Sequence, residues 1–178
     1  MHRSFRILIV TCFSLALSAC FSSRIPLISE AENEILITTG YYKVFEFDES
    51  DGEADLTWSG QIVVSNGRIT SPEDEHPFEN MRVRSLTADI FVGQSQEDED
   101  SEAFLYVLIF AYDNGTLGFH LPDCGELGEA TRTRLELELG QYNTCEFEDW
   151  DTLREALMIY VREQGDAMII SQAMYRVN

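Results

Sequence analysis

The sequence predicts an α+β domain that is mainly antiparallel β, a sheet or a curled barrel, carrying one C-terminal amphipathic helix. Three observations lead there. Asn-Gly stands twice between extended apolar runs, at Asn66-Gly67 and Asn114-Gly115, and this dipeptide is the strongest short-range hairpin cue because both residues tolerate φ > 0. Leu153, Ala156, Leu157, Tyr160 and Val161 fall at helical spacing on one stripe. No repeat of fixed period competes with a single-domain reading.

Taken in order, Tyr41–Phe47 alternates around Val44-Phe45 as a strand. Leu56–Val64 pairs through the Asn66-Gly67 turn with a short Ile69-Thr70. Met81–Val92 reads as one further strand. Ala103–Tyr112 is the most apolar run, and its two apolar faces place the hairpin it forms with Leu117–Leu121 at the centre of the sheet. Thr133–Leu139 alternates leucines with charges and predicts an amphipathic strand. The helix that follows has Asp149, Asp151 or Thr152 to cap it, Glu155 three residues after Thr152, and Gly165 to stop it. Residues 167–177 read as a last strand.

The first twenty residues carry a different kind of information. Arg3 and Arg6 precede an apolar run, Ile7–Leu17, that is long enough for a secretory h-region and too short to span a bilayer. Leu17-Ser18-Ala19-Cys20 follows: an aliphatic residue, two small residues and a cysteine. Here the chain resembles bacterial lipoprotein precursors, whose lipobox has this form. The resemblance implies cleavage after Ala19 and acylation of the Cys20 thiol, the most nucleophilic side chain available for that chemistry. Residues 1–19 are then a signal peptide, with a helix expected around 5–18, and 20–33 a lipidated N-terminus and tether reaching at most about 45 Å. Residues 34–178 form a single exported β-rich domain. Phe21 and Ser22, in place of an aspartate after the cysteine, favour the outer membrane by the same resemblance. The body is similar to small envelope lipoproteins of Gram-negative bacteria, with a cysteine pair ahead of a C-terminal helix.

Composition excludes some partners. The 178 residues hold 32 acids and 12 bases, a formal charge of −20. Loss of residues 1–19 removes two bases and no acid, which moves the charge to −22. No cationic footprint exists to neutralise a nucleic-acid backbone, so no nucleic-acid partner is expected. Membrane contact is expected through acyl chains on Cys20.

With Cys12 removed and Cys20 acylated, Cys124 and Cys145 are left to pair in an oxidising compartment. No Cys-x-x-Cys occurs, and the exported part holds only His76 and His120. No catalytic residue, cofactor site or metal site is assigned. Two acidic runs, 48–55 and 97–102, would suit cations or a cationic partner, yet no EF-hand fits: Gly52 as the loop glycine puts Phe47 first and Trp58 last. Solvated loops explain both runs. Carboxylates also abound for glycoside cleavage, an alternative that needs a cleft holding a pair about 5–9 Å apart. Tyr41, Tyr42, Trp58, Tyr106, Tyr112, Phe119, Tyr142 and Trp150 supply aromatic faces for a glycan or peptide, or simply for the core. The first expectation is a lipid-anchored, non-enzymatic interaction or accessory module with an envelope protein or glycan partner.

Overall fold

The computed structural model describes residues 21–47, 53–72, 76–96, 103–140 and 143–177. Ten strands form the sheet: β1 (Phe21–Ser23), β2 (Gly40–Phe47), β3 (Ala54–Ser65), β4 (Arg68–Thr70), β5 (Arg82–Ser85), β6 (Ile90–Gln96), β7 (Phe104–Ala111), β8 (Leu117–His120), β9 (Cys145–Glu146) and β10 (Gln172–Val177). A short helix, α1 (Glu129–Arg134), and a long one, α2 (Trp150–Gln164), complete the chain. The architecture is the expected one: mostly antiparallel sheet with a main C-terminal helix.

The ladder order is β4-β3-β2-β10-β8-β7, and β7 continues through β6 to β5 on its other edge. β8 takes Leu108–Ala111 of β7, and β1 takes Leu105 and Phe104 farther along the same edge. β1 also pairs with β9, the one parallel ladder among the described strands. Strand β7 is therefore central, as its two-sided apolar character requires. Tyr106 and Leu108 enter a core shared with Leu153, Ala156, Leu157 and Tyr160 of α2. Ile109 and the half-buried Val107 enter a second core, with Tyr42, Val44, Ile62, Val83, Phe119 and Met174.

That second core shows how far the sheet curls. β3 and β5 lie six ladders apart, on the order of 29 Å in a flat sheet, yet Ile62 and Val83 share one cluster. A bulge contributes to the curl. Val44 pairs with Trp58 and Phe45 with Leu56, which leaves Thr57 as the extra residue and strengthens the local twist. The sheet remains open, since no ladder joins β4 to β5 among the described residues.

Both predicted hairpins form, by different turns. Asn66 and Gly67 take φ of 53° and 74°, a two-residue turn of the primed kind. At the second, Gly115 alone is left-handed, at φ 78°, and Tyr112 N–H donates to Thr116 O at 3.0 Å around a three-residue loop. On α2, the Asp149 carboxylate accepts from Thr152 N at 2.9 Å and from Thr152 Oγ1 at 2.7 Å, which holds its carboxyl below the ordinary range.

Four sequence expectations are corrected. The run 81–92 is two strands: Leu86 N and Thr87 N both donate to Ile90 O at 2.9 Å, closing a tight turn that turns the chain back on itself. The strand expected over 133–139 is instead the last two residues of α1 and the turn and irregular chain that follow. Leu137 N donates to Arg132 O and Glu136 N to Thr133 O, with Glu136 at φ 56°, the paired bonds of a Schellman stop. Its alternating leucines meet no sheet edge; Leu135 and Leu137 lean on the helix-side core while Leu139 is exposed. The final strand begins at Gln172, after a 3-10 turn at Gly165–Ala167. Finally, 21–33 is no tether. Phe21 and Ile28 are fully buried, β1 is a sheet strand, and Asn33 Oδ1 accepts from Val83 N at 2.7 Å. The cause is composition: Phe21, Leu27 and Ile28 are apolar enough to join the core.

Gly93 lies opposite Val107 on the second-core face, and a Cβ there would fall 2.7 Å from Val107 Cγ1 and 2.9 Å from Met81 Sδ. Gly93→Ala is expected to destabilise the domain by about 1–3 kcal/mol through overpacking. Leu157→Ala, in the helix-side core, should cost about 2–5 kcal/mol. Urea denaturation of the two variants beside exposed Arg154→Ala measures both, and values no larger than the control would contradict the packing described.

Candidate functional site

Two places gather polar chemistry: a largely buried chain of side chains under α2, and a groove beside β4.

The buried chain starts at the end of β8. His120 points inward, 8% exposed, with Nδ1 2.7 Å from Ile169 O and Nε2 2.9 Å from the Tyr160 hydroxyl. Tyr160, on the inner stripe of α2 and 1% exposed, donates to Glu126 Oε2 at 2.6 Å, and its oxygen accepts from Asp123 N at 3.4 Å. Glu126 belongs to the 3-10 turn Cys124–Glu126 that follows β8. A carbonyl only accepts, so Nδ1 carries a proton. The contacts on either side of the phenol oxygen need two protons, and the phenol supplies one. Burial pushes the Tyr160 hydroxyl well above its ordinary value, and the hydrogen bond to Glu126 adds to this.

This chain joins three elements, β8, the 3-10 turn and α2; His120 and Tyr160 are buried, while Glu126 at its end is exposed. Cys124, in the same turn, stands at disulfide distance from Cys145 on β9, with Cα atoms 5.6 Å apart and both residues fully buried. A second buried chain holds the N-terminal segment: Ser23 Oγ and Tyr106 OH lie 2.6 Å apart, Tyr106 OH donates to Gln94 Oε1, and Ile28 N donates to the same oxygen at 2.8 Å. The tyrosine hydroxyl is again pushed up by burial. No buried side-chain nitrogen or oxygen among the described residues lacks a partner.

The groove has a volume of about 320 Å³ and lies between Ile69, Thr70 and Ser71 on one side and His76, Phe78, Glu79 and Asn80 on the other. His76 Nδ1 accepts from Phe78 N at 3.2 Å. Burial lowers the His76 pKa and nearby Glu79 partly opposes that. Glu79 is the one carboxylate lining the groove among the described residues.

The other sequence-selected residues scatter. Cys20, the helix expected around 5–18, residues 48–52 and 97–102, and Tyr142 lie outside the described residues. Phe47, Ala54, Gln96 and Phe104, which flank the acidic runs, lie toward one end of the sheet. Among the described residues no three His, Cys, Asp or Glu side chains are grouped to hold a metal. Tyr42, Tyr106 and Phe119 are core residues, Tyr41 and Tyr112 are about half exposed, and Trp150 lies under the Arg84 guanidinium at 4.3 Å. The sequence did not point to Tyr160 and Glu126 as partners of His120. Tyr160 reads as one more member of an apolar stripe, and Glu126 as one acid among many. Comparison with protein families, with curated proteins and with solved structures finds no match to this chain.

Tyr160→Phe should destabilise by about 1–3 kcal/mol, because buried acceptors and donors lose their shared partner. The pH dependence has a definite sign. An unfolded tyrosine ionises near 10 while folded Tyr160 keeps its proton, so its contribution is complete below pH 10 and is lost as pH rises beyond it. Urea midpoints from pH 8 to 11 should fall less steeply in Tyr160→Phe than in wild type; parallel curves would contradict the network. Reducing a Cys124–Cys145 bond should cost about 3 kcal/mol on the chain-entropy estimate. A free-thiol count on unreduced, denatured mature protein should find neither cysteine titratable.

Proposed function

We propose that this protein is a lipid-anchored component of the bacterial cell envelope, held by acyl chains on Cys20 in the outer membrane. There its exported domain acts as a non-enzymatic interaction or accessory module. The observation that carries the reading is Leu17-Ser18-Ala19-Cys20 behind a positively charged start and an apolar run of secretory length. Acyl anchoring is chemically sufficient: each buried methylene contributes about 0.8 kcal/mol, and two or three chains hold stably where one is marginal. The fold supports the same reading from another side. Two buried cysteines at disulfide distance suit an oxidising compartment, where we assign them a structural disulfide. The polar chain His120–Tyr160–Glu126 ties the helix to the sheet.

Cys20→Ser is the direct test. Wild-type protein should fractionate with membranes and enter the detergent phase, and the Cys20→Ser variant should move to the soluble periplasmic fraction. A variant that stays with the membranes would overturn the proposal. Crosslinking on intact membranes then identifies the partner.

A further inference from the structure

On the reading that Cys20 carries acyl chains, we propose that the anchor joins the folded domain with no tether. The domain then lies directly against the bilayer in one orientation, with the surface around β1 at the headgroups. The residue after Cys20 is locked into the fold. Phe21 is fully buried and packs its ring 5.1 Å from Phe147 and 5.9 Å from Tyr160, measured between centroids. Its strand is held on both edges. Phe21 pairs with Cys145 on β9, and Ser22 pairs with Leu105 on β7. Phe147 N donates to Ser22 O at 2.8 Å, and Ser23 Oγ meets the Tyr106 hydroxyl at 2.6 Å.

Consecutive Cα atoms are about 3.8 Å apart, so the proposed anchor is a single residue's length from buried Phe21. A free segment of residues 21–33 would let the domain wander about 45 Å from the surface; the packing of Phe21 and Ile28 removes that freedom. Extracting β1 would break two ladders and bring a buried phenylalanine into water. The same burial sets an order of events: cleavage before Cys20 and acylation of its thiol need the chain around it extended and open, so both precede the docking of β1.

The test uses the acylated mature chain in phosphatidylcholine vesicles that contain a nitroxide-headgroup lipid, a quencher of short range. Arg24→Cys and Arg68→Cys each supply a thiol for a small fluorophore. Arg24 is four residues from Cys20, and its ion pair with Glu146, 2.8 Å long, is largely exposed. Arg68 starts β4, at the other side of the ladder path and toward the opposite strand ends, on the order of 30 Å away. Quenching at position 24 should exceed that at 68 by roughly threefold or more, and ten Gly/Ser residues inserted between Cys20 and Phe21 should make the two alike. Equal, weak quenching that the insertion leaves unchanged would overturn tetherless attachment alone. Mass spectrometry of the N-terminal peptide of the same sample reads the underlying assignment: a Cys20 without acyl chains removes the anchor and this proposal together.

Discussion

Every layer of the domain depends on the burial of strand β7 on both faces. Tyr106 and Leu108 face the helix, Ile109 and Val107 face the curled half of the sheet, and no exposed position interrupts Tyr106–Ile109. A strand with two apolar faces must be covered twice. Helix α2 covers one face with a single stripe. The other cannot be covered by a second helix, because the remaining chain is β-rich; the sheet bends back over itself, aided by the Thr57 bulge and by the small Gly93. Curling and helix packing are thus two answers to the same constraint.

Both ends of the described residues are also structural. β10, at the C-terminal end of the described residues, inserts between β2 and β8, and β1 inserts between β7 and β9. Neither ladder is complete until distant parts of the chain meet, so completing the sheet depends on non-local contacts that form slowly. Polar groups then finish what apolar burial begins. Gln94 and Tyr106 secure the N-terminal segment, while His120, Tyr160 and Glu126 secure the helix. Arg84 bridges the two regions, paired with Glu32 at 2.8 Å and set over the Trp150 ring.

The strong acidity takes on a narrower meaning beside this fold. With bases so scarce, attraction to anionic headgroups contributes nothing to membrane attachment, which falls to the acyl chains proposed on Cys20. Self-repulsion keeps such a domain soluble and separate from its neighbours. Among the described residues the acids serve local ends: Asp149 caps α2, Glu32 pairs with Arg84, and Glu155 pairs with Arg134.

Local chemistry made much of this legible. Asn66-Gly67 dictates a turn because only residues tolerant of φ > 0 close a two-residue hairpin, and Leu153 to Val161 dictates a helix because its apolar stripe has no other period. The run 133–139 was misleading for a physical reason. Period-two leucines specify a strand only where an edge is free to pair with them, and here the helix stop at Glu136 intervenes. The segment 21–33 reads as a linker because its apolar residues are few and scattered among polar ones; Phe21, Leu27 and Ile28 gain burial only in the core built by distant strands and α2. The partners of His120 were hidden likewise, since a hydrogen bond across forty residues leaves no local pattern. By itself the sequence determined the class of fold, its two Asn-Gly turns, its main helix and the expectation of an acylated cysteine, because each rests on neighbours within a few residues. Only the tertiary structure decided which polar groups meet and that the residue beside Cys20 is buried in the sheet, because those follow from long-range packing.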